Sequence, residues 1–308
     1  MVLNAQDLFL FMDKHDHQEG PVLDLPEVKW QLMSPSLWMN KPKEKCQLLA
    51  KTILADSPDI LMMTEVGGVE SLRNFARHLL NDEYEAYSLP SNSDRGIDLG
   101  YLVKKTLPFE VRLKTHTRHP LPMPAFYFSR DVLRMDLLQE GKPYALFLLV
   151  HIKSKLDLGK NDFEGRSRRV HEVNGLVDIY LALEKEFPHV PIFIGGDMNG
   201  IAGEVETEEE FKSIYERTDL KDVASMAGIP EEERFSYVYF TRGGNRFQQQ
   251  IDYLFLSEKF ADTIMREECY FPRYRNLEGF PLPIPKSYEK KSSLPSDHYP
   301  FLGTFKLP

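Results

Sequence analysis

Four apolar runs in this chain each carry, at one end, a side chain that can hold a metal or move a proton. The run 59–66 delivers Glu65, YALFLLVH ends on His151, PIFIGG leads into Asp197, and the run 250–256 carries Asp252. A fifth set, Ser296-Asp297-His298, immediately precedes the last apolar segment. One carboxylate at a strand end usually only faces solvent. Five such endings suggest that several strand ends converge on one cleft.

Carboxylates and amide oxygens without a thiolate set suit a hard divalent cation, Mg²⁺ or Mn²⁺. Zinc spacings are absent, since no Cys-X-X-Cys occurs and His171-Glu172 lacks a second histidine. There is no phosphate loop of the Gly-X4-Gly-Lys-Ser/Thr type and no Gly-X-Ser-X-Gly elbow. Ser296, Asp297 and His298 do not make a serine triad, because neighbouring strand residues point to opposite faces. A metal held by Glu65 and Asp297 could polarise a phosphoryl oxygen and stabilise a leaving oxyanion. His298, oriented by a buried carboxylate such as Asp252, could act on the attacking water or on the phosphate. Asp197 and Asn199 could position both from one tight turn.

The elements that must place these groups follow from the apolar pattern. Strands are expected over 1–12, 59–66, 99–104, 109–115 and 144–151. Two more are expected near 125–128 and 132–138, around Ser129-Arg130-Asp131, and another over 191–196. Helices are expected over 42–56, with Pro42 suited to the first turn, over 70–80, and over 166–187. Two short helices then precede strands near 235–240, 250–256, 264–271 and 300–306. No regular βαβ alternation persists, so a mostly antiparallel or mixed sheet system with outer helices is favoured.

The chain has 308 residues, 38 Lys plus Arg and 47 Asp plus Glu. The balance, 38 − 47 = −9, disfavours a protein that coats nucleic acid through a broad positive field. It leaves room for an enzyme that grips one phosphate locally. Two cysteines, Cys46 and Cys269, make a disulfide framework unexpected. No basic n-region opens the chain and no run nears a membrane span, so a cytoplasmic protein without a membrane span is expected. The acidic cluster 204–210 reads as a solvated helix start.

The block Gly195-Gly196-Asp197-Met198-Asn199 resembles the Gly-Asp-Phe/Met/Leu-Asn signature of the endonuclease/exonuclease/phosphatase superfamily, the deoxyribonuclease-I-like fold. Other blocks recur in the same order: Asn4 in VLNAQDLF, Glu65 in ILMMTEV, Arg95-Gly96-Ile97, His151 in LLVHIKSK, Gln250-Ile251-Asp252-Tyr253 and Ser296-Asp297-His298-Tyr299-Pro300. The resemblance runs from residue 4 to residue 305. It implies a single α+β domain over 1–308, a four-layer α-β-β-α sandwich of two mixed, mostly antiparallel sheets flanked by helices. It implies that Glu65 binds the metal, with Asn4 and Asp297 on the metal side. Asp197 would orient or deprotonate the water, and Asn199 would contact the scissile phosphate. His298 would contact the phosphate or act as acid–base, held by Asp252, and His151 would reach the phosphate from the opposite side. Gln6 departs from the pattern, standing where some nucleases carry an acid. The long segment 13–40, with Trp30 and Trp38, could cap the cleft.

Lys153 and Lys155 follow His151 and could neutralise phosphate charge. The stretch 272–295 carries Arg273, Arg275, Lys286, Lys290 and Lys291 among Tyr274, Phe280 and Tyr288, a mixture that can grip nucleic acid. A second basic patch, 112–119, carries less weight. Arg95 and Asp98 read as structural, and Gly96 as a backbone position that other residues resist. The expected activity is Mg²⁺-dependent phosphate-ester hydrolysis by direct water attack, with DNA or RNA as possible substrate. A small-molecule or lipid/inositol phosphatase competes with it, and a catalytically dead binding scaffold is the reading from another class.

Overall fold

The computed structural model describes residues 1–12, 21–34, 38–123, 125–155 and 162–307. In chain order the elements are β1 (Val2–Leu8), α1 (Glu27–Leu32), α2 (Lys43–Asp56), β2 (Ile60–Val66), α3 (Gly68–Leu79), β3 (Tyr84–Leu89), β4 (Asp98–Lys104), β5 (Glu110–Lys114), β6 (Val132–Gln139) and β7 (Lys142–His151). They continue with α4 (Arg166–Glu186), β8 (Ile192–Asp197), α5 (Lys212–Arg217), β9 (Leu220–Asp222), α6 (Val223–Met226), β10 (Tyr237–Phe240), β11 (Arg246–Gln249), β12 (Asp252–Ser257) and α7 (Tyr288–Ser292).

The period-two alternation of the strands sorts the apolar residues into layers. Phe147 and Leu149 of β7 join Val2, Met62, Tyr101, Phe193 and Leu254 in a core between the two sheets. Leu146, Leu148 and Val150 point the other way, onto Val173, Leu176, Val177 and Tyr180 of α4. On the far side, Leu3, Ala5, Leu61 and Met63 pack on Leu49 and Ile53 of α2 and on Leu72 and Phe75 of α3. Three cores thus separate four layers, helix, sheet, sheet and helix, as expected.

The smaller sheet has the order β1-β2-β4-β3 and the larger β5-β6-β7-β8-β12-β9. Each contains one parallel pair, β1 with β2 and β7 with β8, and is otherwise antiparallel. A parallel pair needs a crossover, supplied by α1 and α2 in one sheet and α4 in the other. It also puts both C-terminal strand ends on the same edge. That edge carries Glu65 beside β1, and His151 beside Asp197. Because β12 runs antiparallel to β8, its first residue, Asp252, falls on that edge too.

Several expected elements differ. No strand occupies 125–128; Leu121 N–H bonds Phe126 O and Ala125 N–H bonds Pro122 O in a turn. Prolines at 120 and 122 have no N–H to give a ladder. The stretches 264–271 and 300–306 meet only at isolated bridges, Ile264 to Phe305 and Tyr270 to Leu302, interrupted by a 3₁₀ turn at Arg266–Glu268. β1 ends at Leu8 and carries a bulge between Asn4 and Leu8, where Gln6 and Asp7 take positive φ. β3, β9 and β11 were not expected. Of the expected cap 13–40, residues 13–20 and 35–37 lie outside those described. Among the described residues no helix is long and apolar enough to cross a membrane.

Gly96 has φ +67, as its sequence context suggests. Gly196 is more tightly constrained, with φ +138 and a position where an added Cβ would lie 1.9 Å from Val150 O. Gly196→Ala should therefore lower stability by roughly 2–4 kcal/mol through strain and backbone displacement. Chemical denaturation checks this, and an unchanged midpoint would contradict the described strand end.

Candidate active site

Ladder register builds the centre of the site. His151 pairs with Asp197, and Asp197 pairs with Asp252, so three chemistry-bearing residues stand in one row across β7, β8 and β12. Each lies an even number of positions from an inner-core residue, Leu149, Phe193 or Leu254, so all three face the other sheet. There they meet Asn4, which follows inward-facing Val2 at the same spacing. Asn4 Nδ2 donates to Asp197 Oδ2 at 3.0 Å. Asn199, at φ 54, folds back so that its N–H donates to Asp197 Oδ1 at 2.7 Å. Its Nδ2 donates to Ile152 O at 3.0 Å and to Asp197 Oδ2 at 3.3 Å. Both amide hydrogens of Asn199 are thus engaged. The side chain expected to contact a phosphate holds Asp197 in place.

Two β-bulges supply the opposite wall. Pairing of β2 with β4 slips between Thr64 and Val66, and Glu65 has φ 57. Leu61, Met63 and Val66 all lie in the outer core, so one extra residue is inserted and Glu65 leaves the alternation. A bulge re-aims a side chain in this way, and a non-glycine residue at positive φ costs about 1–3 kcal/mol. The slip in β1 between Asn4 and Leu8 likewise turns Asp7 toward the site, where Asp7 Oδ1 accepts from Arg95 at 2.9 Å.

The Ser296-Asp297-His298 block is tied to both sheets. Ser296 Oγ donates to Asn4 O at 2.8 Å and accepts from His298 N–H at 3.1 Å. Asp297 N–H donates to Gln6 Oε1 at 3.1 Å, so the residue that departs from the family pattern has a positioning task. His298 Nδ1 lies 2.7 Å from Asp252 Oδ2, and Nε2 is 4.0 Å from Asp297 Oδ1. The backbone N–H groups of Ile251 and Asp252 both donate to Ser236 Oγ, which fixes the strand start.

The charges are frustrated. Burial alone would lower the His298 pKa, but Asp252 and Asp197 outweigh it and raise it to about 10. His298 is therefore an imidazolium at neutral pH. Burial, Asp252 and Glu65 push the Asp197 carboxyl up, opposed by His298 and the Asn199 N–H. Burial, then Arg130 and His298, hold His151 well below its ordinary value, so it is neutral. Its Nε2 lies 3.6 Å from Asp197 Oδ2 and 3.8 Å from Glu65 Oε1, and its Nδ1 is buried without a hydrogen-bond partner. Burial raises the Glu65 pKa, and Asp7 and Asp297 add to the shift.

Glu65 fits a hard cation. Its carboxylate makes no hydrogen bond among the described residues and has two like charges, Asp7 and Asp297, for neighbours. Asp197, Asp252 and His298 also offer ligand atoms within 4.8 Å of one another. There His298 Nδ1 and Asp252 Oδ2 already pair, with Asp252 Oδ1 buried and without a hydrogen-bond partner, so that trio suits proton handling and the Glu65 side suits the metal. Asn4, expected on the metal side, donates its amide N–H to Asp197 and accepts on Oδ1 from Gln6 N–H.

The basic residues are arranged differently from the expectation. Lys155 Nζ pairs with Glu208, and Lys153 Nζ bonds Ser154 O. Arg273 lies 5.4 Å over the Phe235 ring. Arg275 sits at the opposite edge, its N–H on Thr52 Oγ1 near the end of α2 and its Nη1 on Gly279 O. It is not brought to the cleft. Lys291 of the same stretch is, with Nζ 3.5 Å from Asp297 Oδ2 and 3.6 Å above the Tyr237 ring. Sequence reasoning counted Lys291 only as one charge in a loop. It also missed Asp7, which only the bulge reveals, and Arg130, which lies near enough to Glu65, Asp197 and His151 to shift His151. Glu172 was read only within a failed zinc motif. Its carboxylate accepts from Ser129 N–H and Lys153 N–H, both at 2.8 Å, and ties the loops flanking Arg130 and His151 together.

Solved structures share this architecture. A truncated Caenorhabditis elegans TDP2 superposes with a TM-score of 0.56 at 21% identity, covering 85% of this chain and 90% of that one. The human Nocturnin catalytic domain with bound sulfate anion gives 0.59 at 17% identity, covering 86% and 87%. An endonuclease/exonuclease/phosphatase family protein from Leptotrichia buccalis C-1013-b gives 0.56 at 14% identity, covering 86% and 93%. No family model matches the chain, and no curated protein does. The chain has the endonuclease/exonuclease/phosphatase fold.

Because Asp252 raises the His298 pKa, Asp252→Asn should return it toward or below about 6.5, where burial dominates. Histidine NMR titration reads this directly. The raised value also means that the pair stabilises the fold fully below about pH 6.5 and loses that contribution as pH climbs toward about 10. Asp252→Asn should flatten that alkaline decline in melting temperature; a His298 titration unmoved by the substitution would refute the pairing.

Proposed function

We propose that this chain is a metal-dependent phosphoesterase that hydrolyses a nucleic-acid phosphodiester by direct attack of water. Residues 1–308 act as one domain in this reading, in the cytoplasm, with Cys46 and Cys269 free and buried. The observation that carries it is the buried Asp252–His298 pair beside Asp197, facing a nearly buried Glu65 without a hydrogen bond.

A hard divalent cation such as Mg²⁺ or Mn²⁺, held by Glu65 with Asp297 and Asp7 beside it, supplies Lewis-acid stabilisation of phosphate oxygens when bound. Asp197, raised in pKa and locked by Asn4 and Asn199, orients the attacking water and accepts its proton. His298, held charged by Asp252, donates from Nε2 to a phosphate oxygen as charge builds there. Neutral His151 and the Arg130 guanidinium face the phosphate from the other side. Among the described residues, Ser296 is committed to structure and neither cysteine borders the site, which favours direct water attack over a covalent intermediate.

A row of aromatic rings favours a base-bearing substrate. Tyr237 lies 5.0 Å from the His298 ring, Tyr239 6.5 Å from Tyr237, and Phe247 5.2 Å from Tyr239, the last two pairs being stacked. Phe247 is 44% exposed. Such a hairpin face leading away from a phosphate site can stack successive bases, each worth about 1–3 kcal/mol.

The test is turnover with Mg²⁺, with and without chelator, on a nicked DNA duplex, an RNA and a phosphomonoester. Chelator-sensitive cleavage of DNA or RNA is expected. Asp197→Asn should reduce kcat by about 10²–10⁴ while the chain still folds, as circular dichroism reads it. Glu65→Gln should weaken Mn²⁺ binding by calorimetry. Turnover of the monoester alone would replace the nuclease reading with that of a small-molecule or lipid/inositol phosphatase. An active Asp197→Asn protein would move the proton acceptor elsewhere.

A further inference from the structure

One ammonium group, that of Lys291, contacts the Asp297 carboxylate, and two more, on Lys41 and Lys45, lie within its electrostatic reach. Lys291 Nζ is 3.5 Å from its Oδ2, and the residue is only 7% exposed. Lys41 is 5% exposed, and its Nζ donates to Gln6 O at 2.7 Å. Burial and the neighbouring Lys45 charge both lower its pKa, which falls to about 8, while Asp7 and Asp297 oppose the shift. Lys45 is half-buried, feels Asp297, and makes no ion pair or hydrogen bond among the described residues.

Bringing three positive charges together at partial burial costs free energy, and one carboxylate does not compensate it. Of the other nearby acids, Asp7 is already paired with Arg95 and Glu65 lies on the side that fits the metal. Lys41 and Lys45 also flank the N-terminus of α2, a helix of 14 residues whose Pro42 cap offers no side-chain hydrogen bond. Cations are unfavourable at that end of a helix, whereas an anion is favourable. A metal ion on the Glu65 side would make the excess positive charge larger. The cluster is contiguous with the reaction centre, because Asp297 Oδ1 lies 4.0 Å from His298 Nε2 and the Tyr237 ring beneath Lys291 lies 5.0 Å from the His298 ring.

We infer that Lys41, Lys45 and Lys291 form a second anion subsite beside the reaction centre, which takes a phosphate other than the one hydrolysed. The substrate class is then one that carries at least two phosphates. The second is either the flanking phosphate of a polynucleotide strand or the partner phosphate of a small bisphosphate. This inference deepens the phosphoesterase reading and rests on it for the identity of the first phosphate.

Binding to the full chain in Mg²⁺ buffer is measured by calorimetry with inorganic pyrophosphate and with inorganic phosphate. Pyrophosphate should bind at least fivefold more tightly. Lys45→Gln should remove that advantage while leaving the phosphate affinity within twofold, and Lys45→Arg should retain it. Equal affinities in the native chain, or equal weakening of both ligands by Lys45→Gln, would overturn the subsite. The two polyphosphate sources separate in a second arm, which compares kcat/KM for a short oligonucleotide, a nucleoside bisphosphate and a single-phosphate aryl diester in the native and Lys45→Gln chains. A selective loss on the oligonucleotide assigns the strand, and a selective loss on the bisphosphate assigns the small molecule. A loss equal on all three, the aryl diester included, would overturn the subsite. If none of the three esters is turned over yet pyrophosphate binding depends on Lys45, the subsite stands and the phosphoesterase reading falls.

Discussion

One buried hydrogen bond between the sheets, from Asn4 to Asp197, sets the geometry on which the site depends. The two sheets are separate hydrogen-bonded units, packed mainly through apolar side chains, with the Tyr101 hydroxyl reaching across to Leu133 O and Phe147 O. At the functional edge the core gives way to polar groups, and there the bond fixes one sheet against the other. Ser296 extends the tie, since its hydroxyl donates to Asn4 O and receives His298 N–H. Asp197 and His298 are therefore held by the same residue of the first strand.

Around that joint the fold accepts charge repulsion and backbone strain that an apolar core would not need. Glu65, Asp197, Asp252 and Asp297 crowd one edge, with Glu65, Asn199, Gln6 and Asp7 all at positive φ. Each strained residue either bears a functional side chain or turns one into the cleft. The compensation lies elsewhere, in three apolar cores and in a buried ion network behind the site. In that network Arg169, fully buried, donates to Lys153 O, Asn199 O and Glu210. The acidic stretch expected to be a solvated helix start thus partly surrounds a buried guanidinium, with Glu210 6% exposed.

Legibility followed burial. Strands buried on both faces, such as β7 and β8, announce themselves as apolar runs, and their polar ends stand out against that background. β3 and β11 lie at the edge of a sheet or in a two-stranded hairpin, and carry alternating or polar sequences such as YEAYSL and RFQQ. They gave no run to find. The segments 264–271 and 300–306 show the opposite error. Their apolar residues cover the open end of the inter-sheet core, which demands burial but not a ladder. The pairing of Lys155 with Glu208 and the seat of Arg275 beside α2 escaped the sequence for a related reason. A cation's sequence position says nothing about which acid or carbonyl will capture it.

The family resemblance supplied the four layers and Asn4, while the chain by itself marked the edge on which chemistry gathers and seven of the residues at or beside it: Glu65, His151, Asp197, Asn199, Asp252, Asp297 and His298. It could do so because hydrophobic periodicity is local, and each of these residues interrupts or ends an apolar run. Only the tertiary structure decided that Asn199 holds Asp197, that Asp7 turns inward, that Lys291 meets Asp297 with Lys41 and Lys45 in its electrostatic reach, and that Arg275 points away. Those outcomes depend on bulges, on loop paths and on charge pairing between segments far apart in sequence. Such interactions have no period along the chain, and so they leave no pattern in it.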